Sequence, residues 1–337
     1  MATQKAQAAS HQIDVIDGLN CAVFNRAQIE RTLQGGVAAM NLTALRPAND
    51  LAASMSDIAK VLAVIAANGD IARVVTSVAD IHAARKANAL GVIIGTQNST
   101  FLEHDLQLLR VMARVGVRIL QPTYMEQNAL GSGVLAEIAG GLTERGREWV
   151  ALMNELRLLI DLSHVGYATA HDVIKTSKRP IIFSHSNARA LCDSLRNIPD
   201  ELIRAAGKTG GTVGVTLWPP MLKHERRPTI DDFCDHVDHL VNLIGVEHVA
   251  FGSDLSEAAK TEAEWAVTFG PRGMYPTVTG VLGPWFTFGQ RFTVGFESMA
   301  TTGNIVDGLA RRGYGGDAIE KIMSGNLLRV YGEVWGG

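Results

Sequence analysis

Eight short runs of aliphatic and β-branched residues recur along this chain, separated by stretches with the pattern of helices. They lie at 13–17, 36–43, 91–97, 116–124, 158–163, 180–185, 211–217 and 248–254. Runs that are apolar throughout, and do not alternate, mark strands buried on both faces, as in a parallel sheet covered by helices. Eight such strands close a (β/α)8 barrel. Between them, 105–115, 144–157 and 229–245 read as helices. The last opens on Thr229 with Asp232 three residues on, a near-match to a capping box, and stops at Gly245. A doubly wound open sheet is the alternative. No glycine fingerprint follows the first strand, and GGTVG at 210–214 enters a strand instead of leaving one. The expected fold is α/β, a TIM-like (β/α)8 barrel, with 1–337 as one domain.

One segment breaks the rhythm. Residues 255–303 are long and rich in Gly, Pro and aromatics, and they follow the eighth strand. In a barrel that places them over the C-terminal mouth, as a lid or a contact between copies of the chain, so a homo-oligomer is expected. Within this loop Trp285, Phe286 and Phe288 either line a pocket or bury the loop itself.

Composition removes several function classes. Apolar residues make up 47% and charged residues 19%, which suits a large core and argues against disorder. A formal net charge of −3 gives no electrostatic case for nucleic acid or an anionic membrane. No apolar run approaches the roughly 20 residues that cross a bilayer. The opening MATQKAQAASHQ does not read as a secretory signal, and three scattered cysteines make no disulfide framework. The expectation is a cytoplasmic protein acting on a small molecule.

The strand ends carry the chemistry. DLSHVG, IIFSHSNAR and VAFGSDL place His164, His185 and Asp254 at the ends of the fifth, sixth and eighth strands. Two imidazoles and a carboxylate fixed at strand ends suit a divalent metal, zinc above all. His236 and His239 sit three apart on a helix, but the interleaved Asp235 and Asp238 point to a solvated outer face. No serine-centred elbow appears, and Ser184 and Ser186 are poor nucleophile candidates.

The segments DLSHVG, PIIFSHSNARAL, RNIPDELI, GGTVGVTL, GVEHVAFGSDL and MSGNLLRVYG look like signature segments of the membrane (renal) dipeptidase family, within the amidohydrolase superfamily. The resemblance runs from about residue 14 to 331. It implies a (β/α)8 barrel and an ancestral two-zinc site that hydrolyses dipeptides. His164 and His185 match the histidines of the second metal site, and Asp254 matches a carboxylate of the first. Arg196 matches the arginine that binds the substrate's carboxylate, with Asn197 beside it and Tyr124 also placed on the substrate. A guanidinium fork suits that role because it pairs with a carboxylate bidentately.

Three of the six metal ligands differ. The family's DGHND reads DGLNC here, with Leu19 and Cys21 at the two ligand positions. Gln97 in GTQN replaces the bridging glutamate, the third ligand to differ, and, outside the six, Tyr124 in PTY replaces a histidine. What remains implies one zinc held by His164, His185 and Asp254, with Cys21 as a soft fourth ligand. Asp254 is alternatively the general base. The expected activity is metal-dependent hydrolysis of an amide in a small carboxylate-bearing substrate, with His164 and Asp254 catalytic. Alternatives are a non-peptide amide, a cyclic imide or a lactone as substrate, or a silent binding protein that has lost its metals.

Overall fold

The computed structural model describes residues 13–102, 104–257, 261–270, 273 and 286–336. The opening segment and Trp285 lie outside the described residues. Its strands are β1 (Val15–Asn20), β2 (Val37–Leu45), β3 (Ala72–Val74), β4 (Leu90–Thr96), β5 (Val117–Leu120), β6 (Leu159–Ile160), β7 (Ile182–Phe183), β8 (Thr212–Val215) and β9 (Val249–Phe251). All eight expected strands are present. The addition is β3, three residues long, which pairs with β4 from Ala72↔Leu90 to Val74↔Val92. It is too short to carry a periodic signal.

All pairings between these strands are parallel. One arc runs β1-β2-β4-β5-β6, with β3 beside β4, and a second runs β7-β8-β9. Isolated bridges join the arcs at Asp161↔Ile182 and Asn20↔Leu255. Backbone bonds from Leu162 N to Ile182 O (2.8 Å) and from Asp254 N to Leu19 O (3.0 Å) cross the same two seams. The sheet therefore closes on itself.

At the seams the backbone ladder is thin, and buried carboxylates reinforce it. Asp17 accepts from Ser253 N (2.7 Å) and Ser253 Oγ (2.6 Å) across the β9/β1 seam, and from Leu19 N and Asn20 Nδ2 on its own strand. Asp161 does the same across the β6/β7 seam. It accepts from Ser184 N (2.9 Å) and Ser184 Oγ (2.6 Å), and from Ser163 N and Gln121 Nε2. Each carboxylate thus collects four donors, two of them from a serine on the facing strand end. Burial raises the Asp17 carboxyl to about 6, against the lowering effect of its hydrogen bonds.

Successive strand side chains point to opposite faces. Ile16, Ala39, Ile93, Ile119, Leu159 and Ile182 form one apolar cluster with the C-terminal helix Asn326–Trp335, whose Tyr331 and Trp335 rings stack at 4.3 Å. Their strand neighbours, such as Val15, Val92 and Phe183, join the larger layer beneath the surrounding helices. Glycine is required where strands converge on the Ser184 carbonyl: a Cβ at Gly214 or Gly252 would lie 2.2 or 2.0 Å from that oxygen.

The helix Ile230–Ile244 begins as expected, with a complete Thr229–Asp232 capping box, and ends on Gly245 at φ 80°. His236 corrects the expectation of a solvated face. It falls on the same stripe as Phe233, Val237 and Leu240, and it is buried. Its ring nitrogens bond Ala188 N and Leu222 O, and burial lowers its pKa to about 4. His239 turns outward enough to meet Asp200 at 2.9 Å.

Candidate active site

The strand ends open into a cavity of about 520 Å³. His164, Asp254, Cys21, Tyr124, Gln97 and Arg196 all line it. His164 and Asp254 have left-handed backbone, at φ 71° and 50°. Such a conformation costs a non-glycine residue about 1–3 kcal/mol and persists only where its surroundings impose it. Here those surroundings are the two seams.

His185 follows β7 and is fully buried. Its Nδ1 lies 2.7 Å from Ser184 Oγ, and that hydroxyl's hydrogen is already donated to Asp161. Ser184 must therefore accept from His185 Nδ1–H, which leaves Nε2 with its lone pair exposed. That lone pair faces His164 Nε2 at 2.9 Å. His164 stacks on Tyr124 with ring centroids 4.1 Å apart, and its Nδ1 lies 3.5 Å from Met125 Sδ. Burial, reinforced by the Arg196 charge, holds both imidazoles well below the ordinary histidine pKa, so both are neutral nitrogen donors.

A second group occupies the opposite wall. Cys21 Sγ donates to Asp254 Oδ1 at 3.4 Å. Gln97 Nε2 donates to Cys21 Sγ (3.0 Å) and to Thr43 Oγ1 (2.8 Å). Burial raises the Cys21 thiol, and the adjacent Asp254 charge raises it further. Burial likewise raises Asp254 to about 6, against the lowering effect of Arg196.

The expected four-ligand set is therefore not assembled. The structure separates it into a His164–His185 pair and a Cys21–Asp254 pair, and among the described residues no three His, Cys, Asp or Glu side chains converge on one point. The Arg196 guanidinium charge acts on both histidines and on Asp254. A second cation between the pairs would meet that guanidinium without the carboxylate that Gln97 has replaced. A two-metal centre does not fit these residues. One ion on the two imidazoles does fit: His185 is already held through Nδ1, the usual arrangement of a ligating histidine, and the ion would replace the contact between its Nε2 and His164 Nε2.

Asn197 is fully buried and is not part of the cavity lining, and its Nδ2 binds Cys192 O (2.8 Å) and Met221 O (2.9 Å). Leu19 is buried and stands outside the cavity lining, contributing backbone bonds to Asp17 and Asp254. In the late loop Phe286 lines the cavity, in an aromatic cluster with Trp218, Trp265 and Phe269. Phe288 instead packs against the Arg291 guanidinium at 3.7 Å. Sequence reasoning passed over Asp17, Asp161 and Thr43. The available signal was the shared pattern of an aspartate three residues before a polar strand end, DGLN and DLSH.

The membrane dipeptidase (peptidase family M19) model matches residues 5–266. The chain belongs to the membrane dipeptidase family. Dipeptidase 3 of Rattus norvegicus is 29% identical over 266 residues, covering 77% of this chain and 48% of that protein. The chain spans about half the length of the curated relatives it matches. A solved amidohydrolase from Pseudomonas aeruginosa is 31% identical with a TM-score of 0.88, over 98% of this chain and 99% of that one. A metallopeptidase from Rhodobacter sphaeroides, solved with a phosphinate mimic of L-Ala-D-Ala, shares the fold at 19% identity and a TM-score of 0.80, over 96% of this chain and 99% of that one. Among the described residues of this family member, no helix is long and apolar enough to cross a membrane.

Proposed function

We propose that this chain hydrolyses an amide bond in a small molecule that carries a free carboxylate. One observation carries the reading. Arg196 is 2% exposed and lines the cavity, yet its Nε and Nη2 have no hydrogen-bond partner among the described residues. A guanidinium stays charged when buried, so it needs an anion, and a carboxylate fits its fork. Family membership supplies the reaction class, and the two neutral imidazoles supply a seat for one divalent ion, zinc by chemistry.

Such an ion contributes Lewis acidity toward the scissile carbonyl. The protein's own groups do the rest. Arg196 fixes the carboxylate, and Tyr124 holds the His164 ring by stacking. Asp254, with its carboxyl near 6, is ionised at neutral pH and placed at the cavity wall to take a proton from attacking water. The aromatic loop residues exclude bulk solvent. The test is Arg196→Lys, which keeps the charge and loses the fork. It should lower kcat/KM on carboxylate-bearing amides by about ten- to a hundredfold. Unchanged kinetics would remove Arg196 from substrate recognition and the reading with it.

A further inference from the structure

The two imidazoles of the site differ in what holds their outer nitrogens. His185 Nδ1 gives its hydrogen to Ser184 Oγ at 2.7 Å, and Asp161 fixes that hydroxyl in turn. His164 Nδ1 meets a thioether instead: Met125 Sδ, 3.5 Å away, is its one hydrogen-bond partner among the described residues. Both residues are buried, so bulk water does not compete for that nitrogen.

The proton count decides how this contact works. Two lone pairs do not approach to 2.9 Å, so one proton lies between His164 Nε2 and His185 Nε2. His185 has its single N–H at Nδ1, and the proton therefore belongs to His164 Nε2. His164 Nδ1 is left as a bare lone pair beside a sulfur that has no hydrogen to offer. An ion on both Nε2 atoms needs the other tautomer of His164. The proton leaves Nε2 and is taken up at Nδ1, with none gained or lost overall, and Nδ1–H then has an acceptor in Sδ. The same sulfur is a poor neighbour in the empty site and a partner in the loaded one. A buried polar atom without a partner is costly, so the contact favours the tautomer that ligates.

We propose that Met125 is a positioning residue for the metal, its thioether selecting the Nδ1–H tautomer of His164 that presents Nε2 as a ligand. This rests on the one-ion seat in the reading above and adds a residue to it. Ligating histidines ordinarily lean on a carboxylate, a backbone carbonyl or water, all stronger acceptors than a thioether. A ligand so weakly supported donates less charge, which leaves more Lewis acidity for a carbonyl.

The test reads zinc affinity by competition against a chromophoric chelator, and imidazole tautomers by ¹⁵N NMR of the histidine-labelled full chain. Met125→Leu keeps the volume and removes the acceptor, and zinc affinity should fall about tenfold, the low end of what the outer partners of ligating histidines contribute. Leu135→Ala loosens the same apolar cluster, leaves Sδ in place, and should bind zinc as the wild type does. In the metal-free wild type His164 should be the Nε2–H tautomer, and zinc should convert it to Nδ1–H while His185 stays Nδ1–H throughout. Wild-type or tighter affinity in Met125→Leu, or an equal loss in Leu135→Ala, overturns the proposal and leaves the seat standing. So does a metal-free His164 that already carries its proton on Nδ1. If zinc binds to the wild type nowhere, or leaves the His164 and His185 resonances unmoved, the seat itself fails and this proposal with it.

Discussion

Ser184→Ala and Ser253→Ala remove the same hydroxyl from the two seams of one barrel, and they should separate stability from function. Ser184 Oγ donates to Asp161 at 2.6 Å and accepts from His185 Nδ1 at 2.7 Å. Losing a hydrogen bond to a charged carboxylate and one between neutral groups costs roughly 2.5–4 kcal/mol. Ser253 Oγ donates to Asp17 at 2.6 Å and also meets Asn20 Nδ2 at 3.3 Å, so its loss should cost a similar amount. The two variants should show comparable drops in guanidinium midpoint. Their zinc affinities should diverge. Without Ser184, His185 Nδ1–H has no acceptor and its ring loses the orientation that presents Nε2, an effect worth about ten- to a hundredfold in metal binding. Ser253 touches neither imidazole, so its variant should bind zinc as the wild type does. Competition against a chromophoric chelator measures both. Equal weakening in the two variants would show general loosening, and no weakening in either would show that Ser184 does not hold the imidazole. Either result refutes the reasoning.

Two more outcomes follow from the site. As the base, Asp254 works ionised, and its carboxyl is raised to about 6, so kcat/KM should fall about tenfold per unit below that pH and level off above it; a profile without that acid limb would exclude Asp254 as the base. Leu19→His with Cys21→Asp and Gln97→Glu restores the family's ligand types, and it should raise bound zinc from at most one ion per chain to two. Its buried unpaired carboxylates should cost several kcal/mol without metal and be offset with zinc. Elemental analysis decides this, and a folded triple variant with no second ion would show that the strand ends have moved apart.

The strands were readable because parallel strands are apolar throughout, and β3 escaped because three residues give no pattern. The strand-end positions of His164, His185 and Asp254 were equally plain. Their grouping was not, since it depends on which strand ends meet at each seam: His164 and His185 meet at one, Cys21 and Asp254 at the other. His236 misled because Asp235 and Asp238 look like a wet face, although both are spent on Arg312 while His236 lies on the apolar stripe. The use of Ser184 by Asp161 is a contact between facing strands that spacing alone does not reveal.

The closure of the barrel has a consequence for how such a chain loses its function. Its wall is two arcs, and the chemical groups are mounted on the joints between them: His164 and His185 on one, Cys21 and Asp254 on the other. A local opening at either joint would leave most of the pairing in β1, β2, β4 and β5 in place and still dismantle half of the machinery. Openings of that kind need far less free energy than global unfolding. Damage at the joints would therefore silence the molecule while its melting curve still looked healthy.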